Sequence, residues 1–366
     1  MNAYIFGDYT KWNNAVKLLK KYRSDICICA CCDPFRPQLS EMFKAAITTQ
    51  EMGDNYFSGY VDSVIVPDAT TRELNDFLQR CGMPNYAIGS KYYHMNCIDE
   101  VLTDKIIQPY GDIEPELSQI EFHLADHCNL NCAGCAHFSN LVTNPVFADF
   151  EQFSKDIRRL HELFSYIAEF YLLGGEPLLN KDISKYMIDL RNVFPYTKIT
   201  VVSNGLLVMN MSEELIKTFI ETQSELSISN YNCLDTKKIS DFLEKSNINY
   251  EIRYGRDYFA KYLSEKADDD INDVFEKCPN RKCHFLGKGM MAVCGQPFYI
   301  KYFNDFFGEH FCDEGAISLY DENIDGNKIL SLMNAPIGAC KNCTYLEPVE
   351  WRVTDGTAKK SDWCVK

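Results

Sequence analysis

The chain has 366 residues, 46% of them hydrophobic, which is enough for two or three cores and too apolar for a disordered protein. Its formal net charge of −15 argues against broad nucleic-acid binding, and no window approaches an apolar membrane span. Seventeen cysteines behind an amino end, MNAYIFGDYTKW, that lacks a basic leader are expected to be reduced thiols or metal ligands in a cytoplasmic protein, not disulfides.

The first hundred residues alternate strand and helix. AYIFGDY, WNNAVKLLKKY and ICICACCD read as strand, helix, strand, and VDSVIVPD, TTRELNDFLQRCG and NYAIGS continue the pattern. A small Rossmann-like α/β domain over residues 1–95 is expected. No dinucleotide is predicted, because the first turn reads Gly7, Asp8, Tyr9, Thr10 and lacks the GxGxxG fingerprint. Cys27, Cys29, Cys31 and Cys32 crowd into its second strand. Alternation sends Cys27, Cys29 and Cys31 to one face, where small apolar thiols pack well, so buried core cysteines are expected there. Residues 96–117, with Pro109, Gly111 and Pro115, read as a linker.

After the alternating strand QIEFHLA comes the most informative stretch, CNLNCAGC, with Cys128, Cys132 and Cys135. Three thiolates this close can ligate three corners of a [4Fe–4S] cube and leave the fourth iron open. Zinc competes, with His127 or His137 completing a Cys3His shell, but structural zinc favours paired CxxC groups. Downstream, Gly174, Gly175, Glu176 and Pro177 follow the apolar run FYLL, and Ser203, Asn204 and Gly205 follow KITVV. Each run places flexible or polar residues at a strand end.

The cysteine spacing and the GGEP run resemble those of the radical S-adenosylmethionine (SAM) superfamily. The resemblance implies a cluster at Cys128, Cys132 and Cys135 whose open iron takes SAM, and reductive cleavage to a 5′-deoxyadenosyl radical. It also implies that the GGEP loop meets the methionyl amine, with Glu176 accepting its hydrogen bond, and that Ser203 and Asn204 meet the ribose. Gly134 departs from the aromatic residue usual before the third cysteine, and implies less contact with adenine.

Strand candidates IEFHLA, FYLLG, ITVVSN, ELSISN and INYEIR alternate with helices around Phe150–Phe164, Ile183–Val193, Glu213–Glu221 and Thr236–Lys245. This is a βα repeat with a parallel sheet. Its three motifs sit at carboxyl ends of strands and therefore share one mouth. Five visible strands and an unsettled sixth suit the family's partial (β/α)6 TIM-like barrel, assigned to residues 118–265. Cys233, Tyr231 and His137 are polar candidates near strand ends, and no catalytic acid or base is assigned. The acidic run LSEKADDDINDVFEK reads as a solvated loop or helix start at the next boundary.

Residues 266–366 hold Cys278, Cys283, Cys294, Cys312, Cys340, Cys343 and Cys364. CHFLGKGMMAVCGQP reads as a hairpin turning at Lys288 and Gly289, and Cys340 and Cys343 form a CxxC pair. This pattern resembles the short "twitch" form of the SPASM-like auxiliary-cluster domain. The resemblance implies that Cys278, Cys294, Cys340 and Cys343 ligate a second iron–sulfur cluster. Cys283 rivals Cys278, and Cys312 and Cys364 are spare or substitute ligands. A four-thiolate zinc site is the plainer alternative.

The expected function is hydrogen abstraction from a substrate C–H bond by a radical SAM oxidoreductase or epimerase, with a reductant such as flavodoxin or ferredoxin. The cysteine layout is similar to that of the 2-deoxy-scyllo-inosamine dehydrogenases. The amino domain loosely resembles nucleotide-fold domains of polysaccharide-biosynthesis enzymes and does not resemble winged-helix leader-binding domains. A sugar or sugar nucleotide is thus the first substrate class and a peptide the second. A non-catalytic iron–sulfur or zinc protein is the contrasting class.

Overall fold

The computed structural model describes residues 2–7, 9–33, 36, 38–48, 51, 63–67, 92–95, 107–109, 115–164, 166–194, 197–255, 257–266, 269–355 and 357–365. It divides into two compact units, Met1–Glu114 and Pro115–Lys366.

In the first unit β1 (Asn2–Phe6), α1 (Trp12–Tyr22) and β2 (Cys27–Cys32) follow the expected alternation; α2 (Leu39–Met42), β3 (Ser63–Pro67), β4 (Tyr92–Met95) and β5 (Ile107–Pro109) come after them. The sheet order is β2-β1-β3-β4-β5, parallel except for the antiparallel last pair. TTRELNDFLQRCG and NYAIGS lie outside the described residues. Two details differ from the expectation. β5 carries the sheet into the stretch read as a linker, and the units divide after Glu114. Cys31 and Cys32, adjacent in the chain, are both buried while Cys27 is exposed. A register shift opposite Ala3 and Tyr4 breaks the alternation, and a parallel sheet covered on both faces buries successive residues.

The second unit is built on β6 (Glu116–Ala125), β7 (Tyr166–Gly174), β8 (Lys198–Ser203), β9 (Glu225–Ser229) and β10 (Asn249–Arg253). Between them run α3 (Phe150–Leu163), α4 (Ile183–Val193), α5 (Glu213–Glu221) and α6 (Thr236–Lys245). Sequence dictates where these helices start: Asp149, Ser212 and Asp235 accept hydrogen bonds from Gln152, Leu215 and Lys238 backbone N–H groups. Period-2 alternation points Ile120, Phe122, Phe170, Leu172, Val201 and Ile228 at the helices, all buried in one core. Leu173 faces the opposite side and joins a second core around Phe138, Phe303 and Trp363.

Strands β10 to β6 are parallel neighbours in sequence order. A sixth parallel strand, β12 (Phe285–Gly287), pairs with β6 at the other edge and turns back into β13 (Met290–Ala292). That turn is the expected hairpin: Lys288 and Gly289 have φ of 51° and 77°, the left-handed pair that a tight turn requires. β14 (Ile317–Ser318) closes the sheet beside β13. Outside it, β11 (Tyr258–Leu263) and β15 (Cys343–Glu350) form an antiparallel ribbon. The acidic run becomes α7 (Ile271–Lys277), capped by Asp270; α8 (Gln296–Phe307) and α9 (Gly326–Met333) complete the unit.

Candidate functional site

The cysteine loop opens at the carboxyl end of β6 and is stitched to the ends of β7 and β8. Gly175 donates to the Ala125 carbonyl at 2.7 Å and the Glu176 N–H to the His127 carbonyl at 3.1 Å. Only glycines permit that approach, because a Cβ at Gly174 or Gly175 would stand 2.2 Å from a carbonyl oxygen of the cysteine strand. The Glu176 carboxylate is fully buried and accepts from Ser203 Oγ at 2.8 Å, Asn204 N at 2.8 Å and Leu178 N at 3.0 Å. Burial pushes its pKa up to about 7 against those three hydrogen bonds. Asn204 in turn donates from Nδ2 to Asn129 Oδ1 at 2.8 Å and to Cys128 Sγ at 3.5 Å.

These strand ends line a cavity of about 510 Å³. Cys128, Cys132, Cys135, Gly174, Gly175, Ser203 and Asn204 all face it. Glu176 and Pro177 lie behind the wall, so the carboxylate expected at a ligand amine acts here as a strut between two motifs. The lining is also aromatic: Tyr231, Tyr258, Phe259 and Tyr262. Among the described lining residues there is no Lys, Arg, Asp or Glu. Of the polar candidates, His137 and Tyr231 reach the cavity, whereas Cys233 is exposed outside its lining.

The carboxyl end of the chain clamps the same loop. Ala133 donates to the Arg352 carbonyl at 2.9 Å, Thr354 to the Asn131 carbonyl at 2.8 Å, and Trp363 Nε1 to the Cys135 carbonyl at 2.8 Å. Gly134, with φ of 68°, is pressed against this strap, since a Cβ there would sit 2.6 Å from the Asp362 carbonyl oxygen. Its small size is therefore a packing requirement.

A buried polar chain runs away from the cavity. His137 Nδ1 meets His123 Nε2 at 2.8 Å, His123 Nδ1 meets Asp126 Oδ1 at 3.1 Å, and Tyr302 donates its hydroxyl to Asp126 Oδ2 at 2.5 Å. His137 also bonds to the Gly174 backbone, and burial pushes its pKa down to about 3. Tyr302 lines a second cavity with Leu141, Asn144 and Phe306.

Cys278, Cys294, Cys340 and Cys343 converge on a separate small cavity under α7. Cys283 is not in that lining; its thiol bonds to the buried Glu121 carboxyl, whose pKa burial pushes up to about 7. Cys312 is bracketed by Asn342 at its backbone, and Cys364 is buried in the Trp363 core. Tyr262, between the ribbon and the cysteine loop, donates to the Ala136 carbonyl at 3.2 Å and accepts from Gln296 at 2.7 Å.

The family model of the Radical SAM superfamily matches residues 123–230, the span from β6 to the end of β9. The chain carries a radical SAM domain. Among curated proteins it is similar to the GTP 3′,8-cyclases of Clostridium botulinum strains, 27% identical over 110 residues, which are 28% of this chain and 32% of theirs. It thus spans about a third of the length of the curated relatives it matches. Among solved structures it is similar to BtrN in complex with AdoMet and 2-DOIA, with TM-score 0.38, 14% identity, and coverage of 68% of this chain and 98% of that one. It is also similar to Streptococcus suis SuiB bound to S-adenosylmethionine, with TM-score 0.30, 15% identity, and coverage of 38% and 32%.

Radical SAM proteins use a [4Fe–4S] cluster and SAM, and the residues of this domain fit both. Three thiols of one loop share the cavity, and Cys128 Sγ already accepts from Leu130 N at 3.4 Å and from Asn204, donors suited to a thiolate. Burial pushes Cys128 and Cys132 up to about 12, so the free thiols are protonated and cluster assembly releases their protons. Among the described residues no three Cys, His, Asp or Glu side chains are close enough to share a single metal ion. The sequence reading missed the strap and the aromatic lining. One available signal was that two of the chain's three tryptophans, Trp351 and Trp363, fall in its last sixteen residues.

Proposed function

We propose that the second unit is a radical SAM enzyme that abstracts hydrogen from a C–H bond of a small polar molecule, with a sugar or sugar nucleotide as the first substrate class. The observation that carries this is the convergence of Cys128, Cys132 and Cys135 with Gly174, Gly175, Ser203 and Asn204 on one cavity. When bound, the cluster and SAM supply a 5′-deoxyadenosyl radical. The chain's own contribution is positional. Glu176 holds the Ser203–Asn204 turn against the cysteine loop, Asn204 orients Cys128, and the strap fixes the loop's backbone beside the aromatic residues of the cavity.

Tyr231, Tyr258, Phe259 and Tyr262 offer faces for stacking, and Ser229 and Asn280 offer hydrogen bonds, a lining that suits a sugar. Tyr258 and Leu346, exposed at the rim, favour a peptide side chain as the second reading. Cys278, Cys294, Cys340 and Cys343 are the proposed ligands of an auxiliary iron–sulfur cluster. Their support is a shared cavity from which Cys283 is turned away.

The test is anaerobic reconstitution with iron and sulfide, then incubation with SAM and dithionite while 5′-deoxyadenosine is measured. Wild-type protein should form it, with faster formation in the presence of a true substrate from a panel of sugars, sugar nucleotides and peptides. Replacing Cys128, Cys132 and Cys135 together with alanine should remove about four irons and all SAM cleavage. Retained 5′-deoxyadenosine formation in that variant would refute the assignment.

A further inference from the structure

Trp351 follows β15 directly and belongs to no motif of the radical SAM domain. Its backbone N–H donates to the Asp257 carbonyl at 2.7 Å, which fixes it beside the β11–β15 ribbon. Its ring stacks on Tyr231 with centroids 5.2 Å apart and planes 17° from parallel. Two residues on, Val353 forms an antiparallel bridge with Cys132, so the strap runs along the cysteine loop in register. The indole Nε1 is buried and, among the described residues, has no partner within hydrogen-bond geometry. Such a donor is costly to leave unmade. The polar group it approaches is the Cys132 thiol.

We propose that Trp351 is a positioning residue that donates its indole N–H to Cys132 Sγ when that sulfur is a cluster thiolate, and so raises the reduction potential of the barrel-loop cluster. A thiolate ligand gains negative charge when its cluster is reduced, and a hydrogen bond to the sulfur stabilises that form. The Tyr231 stack holds the ring's plane and aims the N–H. Through this contact the carboxyl strap sets how readily an electron reaches the cluster. This inference rests on the radical SAM reading of the cysteine loop.

The test is an anaerobic redox titration of the full-length reconstituted protein followed by electron paramagnetic resonance. The barrel-loop cluster is recognised as the signal that changes on adding SAM. Trp351→Phe keeps the stack and removes the N–H; its midpoint potential should move to a more negative value while iron per chain stays unchanged. Site-specific replacement of Trp351 by 3-benzothienylalanine, a bicyclic isostere without the N–H, should shift it in the same direction. An unchanged potential in either folded variant would overturn the proposal alone. A wild-type protein with no SAM-responsive signal would overturn the cluster reading and this inference with it.

Discussion

Glu176 shows how one side chain can hold a site together without facing it. Its carboxylate collects three donors from two strand ends, and the native fold, by burial, holds its proton more tightly than the unfolded chain does. A carboxyl raised from 4.5 to about 7 stabilises fully below pH 4.5, and that contribution is lost as pH rises through 7. Glu176→Gln should therefore flatten the stability profile between those values, read as denaturant midpoints across pH. An unchanged slope would show that the carboxyl does not titrate with folding. Gly134 makes a steric point. Gly134→Ala puts a Cβ against the backbone of Asp362 at a left-handed φ, and neither side can yield cheaply. The variant should lose roughly 2 kcal/mol or more and bind iron poorly, measured by unfolding and iron assay. Full iron content with native stability would mean that the strap does not press on the loop.

At the scale of elements, Asp156 in α3 secures the hairpin of β12 and β13. This fully buried carboxylate accepts from Gly289 N at 2.9 Å, Tyr320 OH at 2.8 Å and Gln152 at 2.8 Å. Asp156→Ala strands those donors at about 1–3 kcal/mol for each that stays dry, so thermal unfolding should occur several degrees lower. A shift within error would mean that water replaces the carboxylate. The four βα helices and the hairpin were legible because each is encoded locally, by Asp149, Ser212 and Asp235 as caps, by period-2 apolar runs, and by Lys288–Gly289 as a turn. The pairing of β12 with β6 was not legible, since it joins residues over 160 positions apart through backbone bonds that leave no mark on side-chain pattern. The same holds for β5, a short strand that lacks an apolar period, and for the strap, whose pairing with Asn131–Ala133 is carried by the main chain.

At the scale of the whole second unit, the carboxyl third and the βα repeat share one compact body, and the cysteine sets of each approach Tyr262. The two sets nevertheless differ in kind. The barrel loop offers three thiols beside a large cavity, and the second group offers four around a small one. Four ligands leave no iron free for SAM. Cys340→Ala combined with Cys343→Ala should then remove the second iron complement, lower stability of the carboxyl third, and spare basal 5′-deoxyadenosine formation. Iron and zinc analysis of anaerobically purified protein checks it, and stoichiometric zinc at that site would overturn the auxiliary-cluster reading. The spacing of the CxxC pair and the hairpin cysteine carried the resemblance that implied these four thiols, but it left Cys278 and Cys283 as rivals. That Cys283 turns towards Glu121 was not readable, because it depends on a carboxylate from a strand far away in sequence.

The chain of groups from Tyr302 to Gly174 sets a hydrogen count. With Asp126 ionised and both imidazoles neutral, His123 gives its Nδ1 hydrogen to Asp126 and must accept at Nε2 from His137 Nδ1. His137 Nε2 is then a bare lone pair facing the Gly174 carbonyl oxygen. One more proton, on Asp126 or on His123, reverses the middle link and satisfies every member. Burial holds both imidazoles neutral, and although burial alone would raise Asp126, the hydrogen bonds from His123 and Tyr302 hold it below the usual carboxylate range, so the resting chain is expected to lack that proton; 15N spectra showing a protonated imidazole at neutral pH would overturn this. Adding one proton to this chain would reverse the direction of its middle hydrogen bond with no side chain changing place, so the wall behind the cysteine loop has two hydrogen arrangements within one set of atomic positions.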